Sequence, residues 1–358
     1  MEPSGDASAP PASDRVATLR DVAELAHVDP SIVSRVTNRD PGLKISPETR
    51  KRVLAAVDHL RYQPNMMARG LATSKMWTLG ILLPSIANPA YAEMASGARA
   101  RCEAAGYVMV IGTAQDGAAP EMRFAELLSR GRVDGLIVAS ATVTDAFIRT
   151  LAQGPAPVVV INRRVPGLDA TVAIDEARAS RDAVRYLASL GHVEIAHIAG
   201  PAGVSTALER MNGFTREIAN LGGLVGHVEH CEAWDSASGY RATLELLRKA
   251  PPVTALYVVN LLAAAGALRA AREMGRRVPD DLSVLAYQDY SLAEFLDPPL
   301  STLAVPYAEA GSVAVDLLLE RMSGQPPRSV TLETAPRLII RASTGPAPRP
   351  PRSSPRTP

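Results

Sequence analysis

TLRDVAELAHVDPSIVSRVTN, running from Thr18 to Asn38, decides how this chain is read. Thr18 is a helix N-cap, and Leu19, Val22, Ala23, Leu25 and Ala26 behind it form a short apolar face at helical spacing. His27 and Val28 make a tight connection. Asp29 then caps a second helix, with Pro30 at its first position, where a missing N–H does no harm. Ile32, Val33 and Val36 give that helix a buried stripe, and Pro41 and Gly42 end it. Ser46-Pro47-Glu48 opens a third helix with a cap, an N1 proline and an acidic first turn, and Val53, Leu54, Val57 and Leu60 form its core face. Two short helices on a tight turn, braced by a third, make a helix-turn-helix. Opposite its buried stripe the second helix carries Ser31, Ser34, Arg35, Asn38 and Arg39, a small, polar, basic face that suits a major groove. From Arg15 to Lys75 there are eleven Lys/Arg against six Asp/Glu, the local excess that phosphate contacts require. Spacing alone also fits a helical dimerisation module with a solvated basic face.

Beyond Trp77 the pattern changes. Short apolar runs (Leu79–Leu83, Tyr107–Ile111, Gly135–Ala139, Val158–Ile161, Val172–Ile174, Ile195–Ile198, Leu256–Val259 and Val284–Tyr287) alternate with amphipathic stretches. The stretches are Tyr91–Ala105, Glu176–Leu190, Ala207–Leu221, Ser236–Lys249 and Leu261–Met274. Alternating strand and helix predicts an α/β fold of parallel sheets covered on both faces, and the length of this region favours two lobes. The 358 residues carry 38 Lys+Arg against 37 Asp+Glu, so nucleic-acid binding must rest on a local patch. Aromatics at 4% argue against a base-stacking RNA platform. Cys102 and Cys231 make neither a disulfide framework nor a metal cage, which fits a reducing compartment. The expectation is a cytoplasmic protein without cofactor or metal. The sequence shows no Gly-rich phosphate loop after the first strand and no GxSxG elbow, so no enzyme is indicated.

The motifs taken together resemble the lactose-repressor/galactose-repressor family of bacterial transcription regulators. The resemblance begins in Thr18–Asn38, continues through ISPETRKRVLAAVDHLRYQPN and ARGLATSK, and spans roughly Ala17 to Arg341. Along the way lie LGILLPSIANP, RVDGLIVAS, VVVINR, LGHVEIAHIAGP, ERMNGF, GYRATLELL, GALRAAREMG, VPDDLSVLAY and PPLSTLAVP. It implies an all-α headpiece at residues 15–62, a hinge helix and linker at 63–75, and a two-lobed, periplasmic-binding-protein-like effector domain at 76–344. Residues 1–14 and 345–358 are expected to be disordered tails. The implied function is a homodimeric repressor that binds a near-palindromic operator in double-stranded DNA under control of a small-molecule effector. The alternative is an effector-sensing or solute-binding protein that no longer reads DNA.

The resemblance also assigns roles. Pro30, Ser31 and Arg35 match the base-contact positions, and Ser34, Asn38 and Arg39 suit phosphates. Arg35 has the fork for guanine O6 and N7, or for a phosphate clamp. Asn65, Ala68 and Leu71 fall in the hinge helix, with Leu71 at the position of a minor-groove wedge. The effector cleft maps to Asn88, Asn162, Arg163, Ile174 and Asp175 on one stretch of chain, and to Thr206, Arg210, Trp234, Asn260 and Gln288 on the other. Read singly, Trp234 fits packing and Asp175 a helix cap. Asn162, Leu261 and Gln288 stand where the family commonly has carboxylates, and Ala90 stands where an aromatic is usual. Loss of those carboxylates predicts that Arg163 and Arg210 are left less neutralised, and hence an effector that is acidic or poorer in hydroxyls than a free sugar.

Overall fold

A computed structural model describes residues 17–37, 40, 42–62, 75–113, 132–139, 145–154 and 156–348. The chain divides into two compact units between Met76 and Trp77.

In the first unit, α1 (Leu19–Ala26), α2 (Pro30–Thr37) and α3 (Pro47–His59) form the expected trio. Thr18 closes a full capping box with Asp21, and Ser46 caps α3 by accepting the Thr49 N–H. His27 ends α1 in the left-handed region, with φ 50°, which turns the chain sharply into α2. Val22, Ala26, Val33, Val36, Val53 and Ala56 make one small core from all three helices.

The second unit has two lobes, each built on a six-stranded sheet. The first sheet runs β11-β5-β4-β3-β1-β2, from β1 (Thr78–Leu83), β2 (Val108–Thr113), β3 (Gly135–Val138), β4 (Val158–Ile161), β5 (Thr171–Ala173) and β11 (Val330–Thr331). The second runs β12-β10-β9-β8-β6-β7, from β6 (Glu194–Ala199), β7 (Val225–His230), β8 (Ala255–Val258), β9 (Ser283–Tyr287), β10 (Ser301–Ala304) and β12 (Arg337–Ile339). Shifting each strand number by five maps the order 5-4-3-1-2 onto 10-9-8-6-7, so the lobes share one doubly wound topology. All pairings are parallel except β10 with β12. In the first lobe α4 (Pro89–Ala104) and α11 (Tyr307–Met322) cover one face and α5 (Asp145–Ala152) the other. In the second lobe α6 (Glu176–Ser189) and α7 (Ser205–Leu221) lie on one face, α8 (Ser236–Lys249) and α9 (Leu261–Glu273) on the other, and α10 (Leu292–Phe295) follows β9. The chain crosses between sheets after β5, between β10 and α11, and between β11 and β12.

Every anticipated strand and helix of the second unit forms within a residue or two of its expected limits. The sequence reading had no counterpart for β7, β10, β11, β12, α5, α10 or α11. It also took Gly345–Pro358 as a disordered tail, and the first four of those residues correct it. The Gly345 carbonyl lies 3.1 Å from His192 Nε2 and 3.2 Å from Ser283 Oγ, its N–H donates to Ser283 Oγ at 3.0 Å, and the Ala347 N–H donates to the Leu190 carbonyl at 2.9 Å. Backbone hydrogen bonds, which composition does not reveal, hold this strap down. Among the described residues no helix is long and apolar enough to cross a membrane.

Candidate functional site

One candidate site is the outer face of α2. Ser31 and Arg35, one helical turn apart, are both exposed, opposite the buried Val33 and Val36. Pro30 and Ser34 are half-buried beside them. Asp29 accepts the Ser31 N–H at 2.8 Å, so the cap read from the sequence is in place, and its bonds to Ser31 hold its carboxyl below the usual range. Arg35 Nε donates to Asp40 Oδ2 at 2.7 Å, and Asp40 Oδ1 accepts the Gly42 N–H at 2.8 Å. Those two bonds, Arg35 first, lower the pKa of Asp40. Asp40 has no helical spacing that would have marked it in the sequence. Asn38, Arg39, Asn65, Ala68 and Leu71 lie outside the described residues.

The other candidate is the crevice between the lobes, at the carboxyl ends of the strands of both sheets. In open α/β folds that is where ligands bind, because helix N-termini and strand-end loops converge there. Asn88, Asn162 and Arg163 line it from one lobe, and Thr206, Arg210, Trp234 and Gln288 from the other. Seven of the ten cleft residues named from the sequence therefore meet at one place. The other three do not line it. Ile174 is buried in the core, and Asp175 caps α6 by accepting the Arg178 N–H. Asn260 caps α9 through the Ala263 N–H and donates to the Trp234 carbonyl at 3.1 Å, so it steadies the indole's backbone from behind. Tyr91, Ala139, Val204, Ser205 and Tyr307 also line the crevice and were not anticipated. Tyr91 supplies an aromatic one residue beyond Ala90, and burial pushes its hydroxyl up to about 12. The open volume among these side chains is about 20 Å³, room for little more than one water.

Two backbone features mark the crevice. Asn162 follows β4 with φ 60°, and Gln288 follows β9 with φ 78°. β4 and β9 are equivalent strands, so each lobe presents a carboxamide from a left-handed residue at the same place in its fold. Such conformations in non-glycine residues persist where surrounding structure over-determines them. Asn162 Oδ1 is buried without a hydrogen-bond partner, and Gln288 Nε2 donates to Tyr307 Oη at 3.2 Å.

The arginines correct the expectation of unneutralised charge. Arg210 is fully buried and grips Glu176 with a fork, Nε to Oε2 at 2.7 Å and Nη2 to Oε1 at 3.1 Å. Its Nη1 donates to the Val259 carbonyl at 3.0 Å, and its guanidinium lies 3.8 Å from the centre of the Tyr287 ring. Burial disfavours its charge, but Glu176, with Tyr287 and Tyr307 beside it, together outweigh that and hold its pKa well above the ordinary value. Arg163 pairs with Asp145. Glu176 and Asp145 thus supply counter-charges in place of the carboxylates missing from the strand ends, and the argument for an acidic effector lapses. Neither was visible in the sequence, because Glu176 lies 34 residues and Asp145 18 residues from its arginine.

Comparison with known proteins bears on both sites. Residues 18–65 match the model of bacterial regulatory proteins, lacI family, and residues 184–344 match a periplasmic binding protein-like domain. The HTH-type transcriptional repressor CytR of Escherichia coli K12 is 34% identical over 92% of this chain and 97% of its own length. PurR of Klebsiella pneumoniae is 32% identical over 93% and 98% respectively. Among solved structures, the lac repressor dimer bound to operator and the anti-inducer ONPF superimposes with a TM-score of 0.80 at 28% identity, covering 92% of this chain and all of that one. The transcriptional regulator CelR in complex with cellobiose gives 0.68 at 30% identity, over 91% and 99%. By its headpiece, its two-lobed domain and these full-length relatives, the chain belongs to the lacI family of bacterial regulatory proteins.

Proposed function

We propose that this chain is a cytoplasmic transcriptional repressor, not an enzyme, that binds a near-palindromic DNA operator as a homodimer and responds to a small molecule in the interlobe crevice. The observation that carries the reading is the joining, in one chain, of a helix-turn-helix with an exposed Ser31–Arg35 face to a crevice lined from both lobes. The lac repressor was solved as a dimer on its operator, and CelR with cellobiose. Equivalent partners here are a DNA duplex and a metabolite.

In this reading Pro30, Ser31 and Arg35 meet base edges, and Ser34, Asn38 and Arg39 meet phosphates. Asn65, Ala68 and Leu71 contact the minor groove, with Leu71 as the wedge. Trp234 supplies a flat face for the effector, while Asn162 and Gln288 supply donors and acceptors. Two copies read two half-sites. Apolar side chains open to solvent support self-association: Val108, Val110 and Ile111 on the edge strand β2, and Leu292 and Phe295 on α10, the last 80% exposed. An effector that binds one lobe angle better than another shifts the equilibrium between DNA-competent and incompetent states.

Incubating the purified chain with a random duplex pool at near-physiological salt, and sequencing what it retains, tests this directly. Enrichment of an inverted repeat is expected. Absence of enrichment, both alone and with a cell-metabolite extract, would favour a sensor that does not read DNA.

A further inference from the structure

The guanidinium of Arg35 is already tethered in the free protein. Asp40 receives its Nε–H at 2.7 Å, and Asp40 is itself bonded to the backbone of a residue before it and of a residue after it. Its Oδ1 accepts the Gly42 N–H at 2.8 Å, and its own N–H donates to the Arg35 carbonyl at 3.0 Å. The bonds to Arg35 and Gly42 therefore fix the carboxylate, and the carboxylate fixes the arginine. A guanidinium carries five N–H groups in a rigid fork. Pairing through Nε leaves the terminal pair, Nη1 and Nη2, for a second partner. The Arg35 and Asp40 side chains keep 48% and 34% of their exposure, so the tether stays at the surface where a duplex would dock.

We propose that Asp40 is a positioning residue for base recognition: it clamps Arg35 through Nε so that Nη1 and Nη2 meet O6 and N7 of one guanine in each half-site. The proposal rests on the reading that α2 enters the major groove. A free arginine side chain must be ordered on binding, and a clamped one has already lost that freedom. The clamp also has an electrostatic consequence. A carboxylate on a DNA-facing surface opposes phosphate attraction for every sequence alike. It therefore lowers nonspecific affinity while it raises discrimination, and specificity is the difference between the two.

The test compares the full-length wild type with Asp40→Asn, Arg35→Lys and the double variant. Each is run through the random duplex pool at one fixed salt concentration, with and without metabolite extract. The readout is the ratio of guanine to other bases at the half-site position that Arg35→Lys changes most. Asparagine keeps an acceptor for the Gly42 N–H, so the turn is retained, and a thermal melt of each variant checks the fold. Asp40→Asn should lower the guanine ratio about fivefold to tenfold, part of the discrimination that a bidentate arginine–guanine pair supplies. Retention of a scrambled duplex should stay level or rise, and the double variant should match Arg35→Lys. Should Asp40→Asn unfold, Asp40→Ser, whose hydroxyl also accepts a turn N–H, carries the same expectation. A guanine ratio unchanged in the Asp40 variant but abolished in Arg35→Lys would overturn the clamp and leave base reading intact. If Arg35→Lys alters no position, or the wild type enriches nothing under either condition, base reading by Arg35 fails and the clamp fails with it.

Discussion

Arg210, which lines the crevice, and its partner Glu176 are each 2% exposed. Removing one member of a buried ion pair leaves the other charged and without a counter-ion, at a cost of about 3–5 kcal/mol. Glu176→Ala should therefore lower the free energy of unfolding by that order, read as a lower denaturant midpoint at unchanged slope, and Glu176→Gln by less. His197 makes a second prediction. Burial holds its imidazole down to about 3; Nδ1 lies 2.9 Å from the Tyr257 carbonyl, and Nε2 has no partner. The folded state keeps this histidine neutral, whereas the unfolded chain protonates it below about 6.5. Its contribution to stability is complete above that pH and declines as pH falls toward about 3. Between pH 7 and pH 5 the loss is about 2 kcal/mol, as the slope rises toward roughly 1.4 kcal/mol per pH unit below pH 6.5. Urea unfolding at pH 7 and pH 5 checks this, and the slope should flatten in His197→Phe. At this scale the sequence revealed residue types but not partners. Arg210, Trp234 and Gln288 could be named as cleft residues, while Glu176, Asp145 and Asp40 acquire their roles only when the fold brings them beside an arginine.

Elements were legible where their ends carry chemistry. Thr18, Ser46, Asp235 and Asn260 each accept a backbone N–H at a helix start, and those starts were read correctly. The strand β7 was missed because it is an edge strand whose residues Val225–His230 are half-buried or exposed, so it has no apolar run to detect. The strands β10, β11 and β12 are two to four residues long, and Ser301, Thr302, Thr331 and Arg337 within them break the continuous apolar run that marks β4. Helix packing adds a constraint of its own. A Cβ on Gly97 in α4 would stand 1.9 Å from the Ala308 carbonyl oxygen in α11, and one on Gly311 in α11 would stand 2.0 Å from that of Met94. The two helices meet backbone to backbone, and a methyl must push them apart. Gly97→Ala should destabilise the second unit by about 1–3 kcal/mol, the usual cost of overpacking, with its melting temperature lowered accordingly. On the wedge role proposed for Leu71, Leu71→Ala should weaken specific DNA binding while leaving the melting temperature near that of the wild type.

Across the whole molecule, the alternation of apolar runs and helices predicted parallel sheets and two lobes, and both are present. The shared topology of the lobes was hidden, because strand order is a property of space and no residue period records it. That symmetry places Asn162 and Gln288 at equivalent strand ends facing one crevice. The open volume among the crevice side chains is about 20 Å³, and a metabolite gains room there by parting the lobes or turning those side chains aside. A ligand that does so is coupled to any function that depends on lobe angle. The most direct measurement of that coupling is fluorescence anisotropy of a labelled duplex taken from the enriched pool, titrated with the full chain in the presence of fractionated cell metabolites. One fraction should change the wild-type affinity by about 5-fold to 150-fold, the usual span of allosteric coupling. In Trp234→Ala that change should disappear, while DNA affinity without the fraction stays the same. No change with any fraction, or the same change in the Trp234 variant, would contradict control of DNA binding through the crevice.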